Sequence, residues 1–225
     1  MPTVLRKPVT VSDQHLAERC ARGRIVIIDD DSEILNAIEA LLALEGYATE
    51  TYSSAIDYLQ VLTYNRPHFP GPSCVLCDVK MPELDGLQLQ CRLAELADTP
   101  LLLMSGASGA EEAVSAFRAG VVDFLLKPID ADMLLHAIGK ALLESSEQQT
   151  LHHRHAELAK RIATLTERER DIAKRVAHGQ INRDIADTLH IALRTVKLHR
   201  QRALEKLGAR NTADLVRIAD EGNLS

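Results

Sequence analysis

The chain has 225 residues, 46% apolar and 26% charged, the balance of a globular protein rather than of a disordered chain, a collagen repeat or a coiled-coil rod. No stretch approaches the roughly 18 consecutive apolar residues of a membrane-spanning helix, no apolar core near the start marks a secretory signal, and four cysteines do not make a disulfide scaffold. The expectation is a reduced, cytoplasmic protein with no membrane partner. The net charge of −6 is unevenly spread: residues 24–140 carry seven bases against 18 acids, and residues 141–225 carry 15 bases against 12 acids. Within 192–210 stand six bases, Arg194, Lys197, Arg200, Arg202, Lys206 and Arg210, and one acid, Glu205. An acidic body joined to a locally basic end implies two domains with different partners.

Residues 1–23, with Pro2 and Pro8 and little periodicity, read as a flexible N-terminal extension with room for a short helix near 12–22. From Arg24 the pattern alternates. Apolar runs at 25–28, 48–52, 74–77, 101–104 and 122–126 suit strands buried on both faces. Helical stretches lie near 32–45, 54–64, 85–97, 109–119 and 130–145, and Asp130 is a plausible cap for the last. Five strands alternating with helices predict a doubly wound α/β domain over 24–140, with a five-stranded parallel sheet. Residues 141–164 are polar, helical in pattern and free of Gly and Pro, and read as a linker. Residues 165–225 show only helical patterning, in four short segments, and form a second, all-α domain.

Ligands of doubly wound domains sit beyond the carboxyl ends of the strands. The first strand is followed by Asp29-Asp30-Asp31, the third by Asp78, the fourth by Ser105 and the fifth by Lys127-Pro128. Adjacent carboxylates repel unless a cation compensates them, and oxygen-only donors favour Mg²⁺. A hydroxyl and an ammonium on the same rim are donors for a phosphoryl group. The chemistry is phosphoryl transfer to a carboxylate, with Asp78, alone at its strand end, as acceptor. Toward the C-terminus, Thr166 and Glu169 have capping-box spacing. The stretch 182–189, a tight turn around His190-Ile191-Ala192, and a basic helix from Thr195 to Leu207 then form a helix-turn-helix, whose second helix enters the DNA major groove.

Ile28-Asp29-Asp30-Asp31, Asp78-Val79-Lys80-Met81-Pro82 with Asp85-Gly86, Met104-Ser105-Gly106 and Lys127-Pro128 together resemble a two-component receiver domain, a flavodoxin-like fold. Leu165-Thr166-Glu167-Arg168-Glu169, Gly179, Asn182-Arg183-Asp184-Ile185-Ala186, Thr195-Val196-Lys197-Leu198-His199 and Lys206-Leu207 resemble a LuxR-type helix-turn-helix. The whole resembles the NarL/FixJ family of response regulators, the FixJ-like branch in particular. That resemblance implies phosphorylation of Asp78 by a sensor histidine kinase. It implies Mg²⁺ held by Asp29, Asp30, Asp78 and the backbone carbonyl of Lys80, with Asp31 a helix cap rather than a ligand. Ser105 and Phe124 are the implied switch residues. Lys127 is the implied phosphoryl contact, with a cis bond to Pro128. Lys80 and Ala107 occupy positions that tune phosphoryl lifetime. On DNA, Lys197, Leu198 and Gln201 would face base edges. Arg194, Thr195, Arg200 and Arg202 would contact phosphates, as would Asn182 and Arg183. The implied partners are the kinase, double-stranded promoter DNA, a second copy in an activated homodimer, and RNA polymerase for an activator.

Two other function classes compete. A haloacid-dehalogenase-like phosphohydrolase also uses Asp, Ser and Lys with Mg²⁺, but carries its nucleophile on the first strand. A regulator switched by protein or ligand binding would keep the fold without phosphorylation. Three further features have simple structural readings. Cys74 and Cys77 are three apart on a strand and point to opposite faces, against a redox or zinc pair. His152, His153 and His155 read as a solvated helix face. Leu151, Leu158 and Leu165 recur at seven, which suits packing against the chain's own domains better than a dimer seam.

Overall fold

The computed structural model describes residues 22–65, 71–106, 110–222 and 224. The expected N-terminal extension, up to residue 21, and Ala107 lie outside the described residues. The chain divides into two compact units, the first ending at Gln149 and the second beginning at Thr150.

The first unit alternates β1 (Arg24–Ile28), α1 (Ser32–Leu44), β2 (Ala48–Tyr52), α2 (Ala55–Asn65), β3 (Ser73–Asp78), α3 (Gly86–Leu96), β4 (Leu101–Ser105), α4 (Ala110–Arg118), β5 (Asp123–Leu126) and the start of α5 (Ala131–Ala163). All strand pairs are parallel, in the order β2-β1-β3-β4-β5. Alternate residues feed two cores. Ile25, Ile27, Leu76, Leu102 and Met104 pack with Leu35, Ile38 and Leu42 of α1 and Leu134 and Ile138 of α5. Val26, Ile28, Val75, Leu101 and Leu103 pack with Leu89 and Leu93 of α3 and Ala116 of α4. Burial on both faces explains the unbroken apolar runs, and each such side chain contributes about 1.5–3 kcal/mol. Strand order reverses between β1 and β3, which opens the crevice at their carboxyl ends where doubly wound folds place ligands.

Caps fix the helix starts on that rim. The Asp31 side chain accepts from the N–H groups of Glu33 at 2.8 Å and Ile34 at 3.4 Å. Asp85 and Gln88 form a capping box on α3. Asp130 accepts from Asp132 and Met133.

The stretch 141–164, expected as a helical linker, continues α5 without a break as far as Ala163, and the division between the units falls within it, after Gln149. Ala141 and Leu142 join the first core. The Ser145 hydroxyl accepts from the Ser73 N–H at 3.0 Å, and Gln149 donates to the Gly71 carbonyl at 2.8 Å. Beyond them, Arg154 makes a two-pronged bond to Glu221 at 2.8 and 2.9 Å, and Ile162 packs into the core of the second unit. Nothing in this stretch ends a helix, since it lacks Gly and Pro. Of the heptad leucines, Leu158 and Leu165 are buried and Leu151 is exposed.

The second unit contains α6 (Glu167–Ala177), α7 (Asn182–Leu189), α8 (Leu193–Leu207) and α9 (Thr212–Glu221), the four short segments expected. Its core gathers Leu165, Ile172, Val176, Ile185, Val196, Leu207 and Leu215. The α6 capping box forms as expected, and its Glu169, only 3% exposed, also accepts from Lys206 at 2.6 Å. The turn between α7 and α8 passes through His190 in the left-handed region, φ 50°, and Gly208 ends α8 at φ 70°.

Candidate functional site

Four strand ends build the rim of the first unit. Asp29 follows β1 and is 1% exposed; Asp78 ends β3 at 6%; Ser105 ends β4 at 1%. Lys127 follows β5. Its Nζ lies 2.6 Å from Asp29 Oδ2 and 2.5 Å from Asp78 Oδ1, so one ammonium serves two buried carboxylates. The other oxygen of Asp29 accepts the Asp31 N–H at 2.9 Å, and the other oxygen of Asp78 accepts the Lys80 N–H at 2.8 Å. Burial raises the Asp29 carboxyl above the usual range, against the opposing pull of Lys127. Desolvation acts to lower Lys127, but its bonds to Asp29 and Asp78 outweigh it and hold the ammonium above its ordinary value. The Lys127 N–H donates to the Ser105 carbonyl at 2.8 Å, and the Lys127-Pro128 bond is cis.

Asp78 is also fixed from behind. Gly86, at the start of α3, is buried, and its N–H donates to the Val79 carbonyl at 2.9 Å. A Cβ there would lie 2.7 Å from both the Asp78 carbonyl oxygen and the Leu103 side chain. Only glycine lets α3 come this close, which gives the Asp85-Gly86 pair its physical reason.

Other expected residues fall into place differently. Phe124 is half-buried on β5 against the second core cluster. Asp30 and the Lys80 side chain are exposed. Among the described residues no three His, Cys, Asp or Glu side chains are gathered tightly enough to form a metal cluster by themselves. Asp29 and Asp78 are drawn onto Lys127 instead. The donor set nevertheless fits a hard divalent cation. Asp29, Asp30 and Asp78 are three carboxylates against one ammonium, and the excess negative charge is held on oxygen donors. Cys74 and Cys77 enter opposite core clusters, and burial pushes the Cys74 thiol up to about 12. His152, His153 and His155 are exposed.

In the second unit, α8 buries Val196, Ala203 and Leu207. Arg194, Lys197, Leu198, Gln201 and Arg202 are exposed, as is Arg183 on α7. Arg200, expected on phosphate, is half-buried: it donates to Asn182 Oδ1 at 2.8 Å and Thr212 Oγ1 at 2.7 Å, tying α8 to α7 and α9. Thr195 is half-buried. Gln201 donates to Glu205 at 2.9 Å. One residue on the rim of the first unit lies beyond the reach of strand-end patterns. Ser105 Oγ donates to Glu112 Oε2 on α4 at 3.4 Å. An acid in the first turn of a helix looks like an ordinary partner of the helix dipole, and seven residues separate it from Ser105.

Comparisons with known proteins divide the chain in the same two parts. Residues 25–139 match the model for the response regulator receiver domain, and residues 163–219 match that for bacterial regulatory proteins of the luxR family. The response regulator protein TodT of Pseudomonas putida is 34% identical over 214 residues, 95% of this chain and 91% of TodT. The transcriptional regulatory protein FixJ of Bradyrhizobium diazoefficiens is 33% identical over 201 residues, 88% of this chain and 95% of FixJ. Among solved structures, the response regulator StyR aligns with a TM-score of 0.76 at 28% identity, covering 88% of this chain and 98% of StyR. Full-length FixJ from B. japonicum aligns with a TM-score of 0.53 at 30% identity, covering 91% of this chain and 99% of FixJ. The chain belongs to the NarL/FixJ family of two-component response regulators, a receiver followed by a LuxR-type DNA-binding domain.

Proposed function

We propose that Asp78 accepts a phosphoryl group from a sensor histidine kinase and that this modification switches transcription through α8. The observation that carries the reading is the Lys127 ammonium, held between the buried carboxylates of Asp29 and Asp78. An Asp78 carboxylate oxygen attacks phosphorus; the bond to the donor's nitrogen breaks, and the imidazole leaves with that electron pair. Lys127 stabilises the negative charge on the phosphoryl oxygens, and the Lys80 N–H keeps the acceptor carboxylate oriented. Asp29, Asp30, Asp78 and the Lys80 carbonyl would hold Mg²⁺, which supplies further charge neutralisation when bound. Slow attack of water on the acyl phosphate resets the protein without making it an enzyme for external substrates.

Ser105 and Phe124 then reorient, and the face of α4 and β5 changes to favour a homodimer. Two copies of α8 read half-sites about one DNA turn apart. Lys197, Leu198 and Gln201 face base edges. Arg194, Thr195 and Arg202 contact phosphates, with Arg183 and the Asn182–Arg200 pair on the flank. Moving such a switch from mostly off to mostly on takes about 5 kcal/mol, within reach of a group that adds about one net negative charge and several new charge-assisted bonds. The setting is the cytoplasm, with RNA polymerase as a partner for an activator; no helix among the described residues is long and apolar enough to cross a membrane.

The test is incubation of the full chain with a small phosphodonor and Mg²⁺, then measurement of intact mass and oligomeric state, beside Asp78→Asn. One phosphoryl addition, absent from the variant and accompanied by a dimer, is the expected result. No addition, or addition to the variant, overturns the assignment.

A further inference from the structure

The Ser105 hydroxyl has a single hydrogen to donate, and it is directed to Glu112. Ser105 is 1% exposed, and Glu112 is half-buried in the first turn of α4. A hydroxyl engaged in this way cannot also donate to a phosphoryl oxygen. Lys127, another side-chain donor of the rim, already serves Asp29 and Asp78. At 3.4 Å the Ser105–Glu112 bond is far longer than the roughly 2.7 Å optimum for hydroxyl donors, so it holds weakly. Asp78 lies on the neighbouring strand, paired with Met104, the residue before Ser105. A phosphoryl group on Asp78 would carry about two negative charges on its own oxygens, a net gain of about one over the carboxylate it modifies, and would set them further out on this rim. It would offer Ser105 a stronger acceptor and repel the Glu112 carboxylate at once.

We infer that Glu112 is a positioning residue for phosphoryl acceptance: it keeps the Ser105 hydroxyl off the phosphoryl site and gives it up when Asp78 is modified. The inference rests on the proposed phosphorylation of Asp78. It adds a physical link from that event to α4, because the group released by Ser105 belongs to the helix. The electrostatic part does not need the bond to be strong. It needs the carboxylate and the hydroxyl to be neighbours before modification, as they are here.

The experiment measures the rate of phosphoryl uptake from acetyl phosphate with Mg²⁺, read by intact mass, in full-length wild type, Glu112→Ala, Glu112→Gln, Ser105→Ala and the Ser105→Ala/Glu112→Ala double variant. In uptake, the bond from phosphorus to the acetyl oxygen breaks, acetate leaves with the electron pair, and a phosphorus–oxygen bond forms to Asp78. Glu112→Ala is expected to speed uptake about two- to tenfold, the worth of one competing hydrogen bond. Glu112→Gln, which keeps an acceptor oxygen but not the charge, should fall between it and wild type. In the Ser105→Ala background, removing Glu112 should speed uptake less than it does in wild type, because only the charge repulsion remains to be relieved. An equal acceleration with and without Ser105 would mean that Glu112 acts through helix structure or general charge, and would overturn the inference. So would an unchanged or slower rate in Glu112→Ala. A wild type that takes up no phosphoryl group overturns the phosphorylation reading and this inference with it; normal uptake that is insensitive to Glu112 overturns this inference alone.

Discussion

Both units bury carboxylates, and they do so to opposite ends. In the receiver, Asp29 and Asp78 share the single ammonium of Lys127, and burial lifts the Asp29 carboxyl above its usual range. In the DNA-binding unit, Glu169 has a partner set of its own. Lys206 donates to it at 2.6 Å and the Thr166 N–H at 2.9 Å, and these hold its carboxyl down at about 2. A carboxylate that shares its countercharge remains able to react or to take a cation. One with a full set of partners is inert and serves to join helices. The bases that the proposed function places on DNA lie elsewhere, exposed on α8 at Arg194, Lys197 and Arg202.

The largest effect that would break this contrast is at the acceptor. Asp78→Asn should abolish phosphoryl uptake outright, as mass measurement will show, while leaving the DNA-binding unit folded. Gly86→Ala comes next. Its new Cβ has no room against the Asp78 carbonyl and Leu103, so urea unfolding should show a loss of about 1–3 kcal/mol in the receiver transition, with slower uptake because the acceptor shifts. Glu169→Gln should cost the second unit about 1.5–3 kcal/mol at neutral pH, the range for hydrogen bonds to a charged group. The pH dependence comes from the depressed carboxyl. Its unfolded value lies near 4.3, so the stabilisation is complete above that value and is lost as pH falls through about 2. The gap between wild type and Glu169→Gln should therefore narrow on acidification, and a gap that stays constant would place the stabilisation elsewhere. The smallest effect is at the exposed end. Arg202→Ala should weaken all DNA sequences alike and reduce the salt slope by about 1, whereas Lys197→Ala should relax preference at one base position. Selection from a random DNA pool at two salt concentrations separates the two.

The sheet is legible in the sequence because its three inner strands, β1, β3 and β4, are buried on both faces, and such runs stand out against any flanking sequence. Two strands extend one residue past their apolar runs. Asp78 and Ser105 look like loop residues, yet they pair in the ladder with Met104 and Leu126. The rim is legible for a related reason: in a parallel sheet, the residues just past each apolar run all arrive at one edge. Helix caps at Asp31, Asp130 and Thr166 are readable because capping is local. The features that escape are non-local and polar. Nothing near Arg200 says that its guanidinium is taken by Asn182 and Thr212, 18 and 12 residues away. Glu112 is hidden in the same way. The division of α5 is invisible because a continuous helix carries no mark where its burial passes from one core to another.

The closeness of Gly86 to the acceptor also bears on inheritance. Every one of the other nineteen side chains carries a Cβ, so no mild replacement exists there, and any single-codon change that alters the residue is a step into a clash. Lys80, two residues beyond Asp78 and exposed, has open solvent around it and can be exchanged without disturbing the packing. On the function proposed above, a lineage carrying this protein can therefore drift at the position implied to tune how long its signal lasts far more readily than at the place where the signal is written.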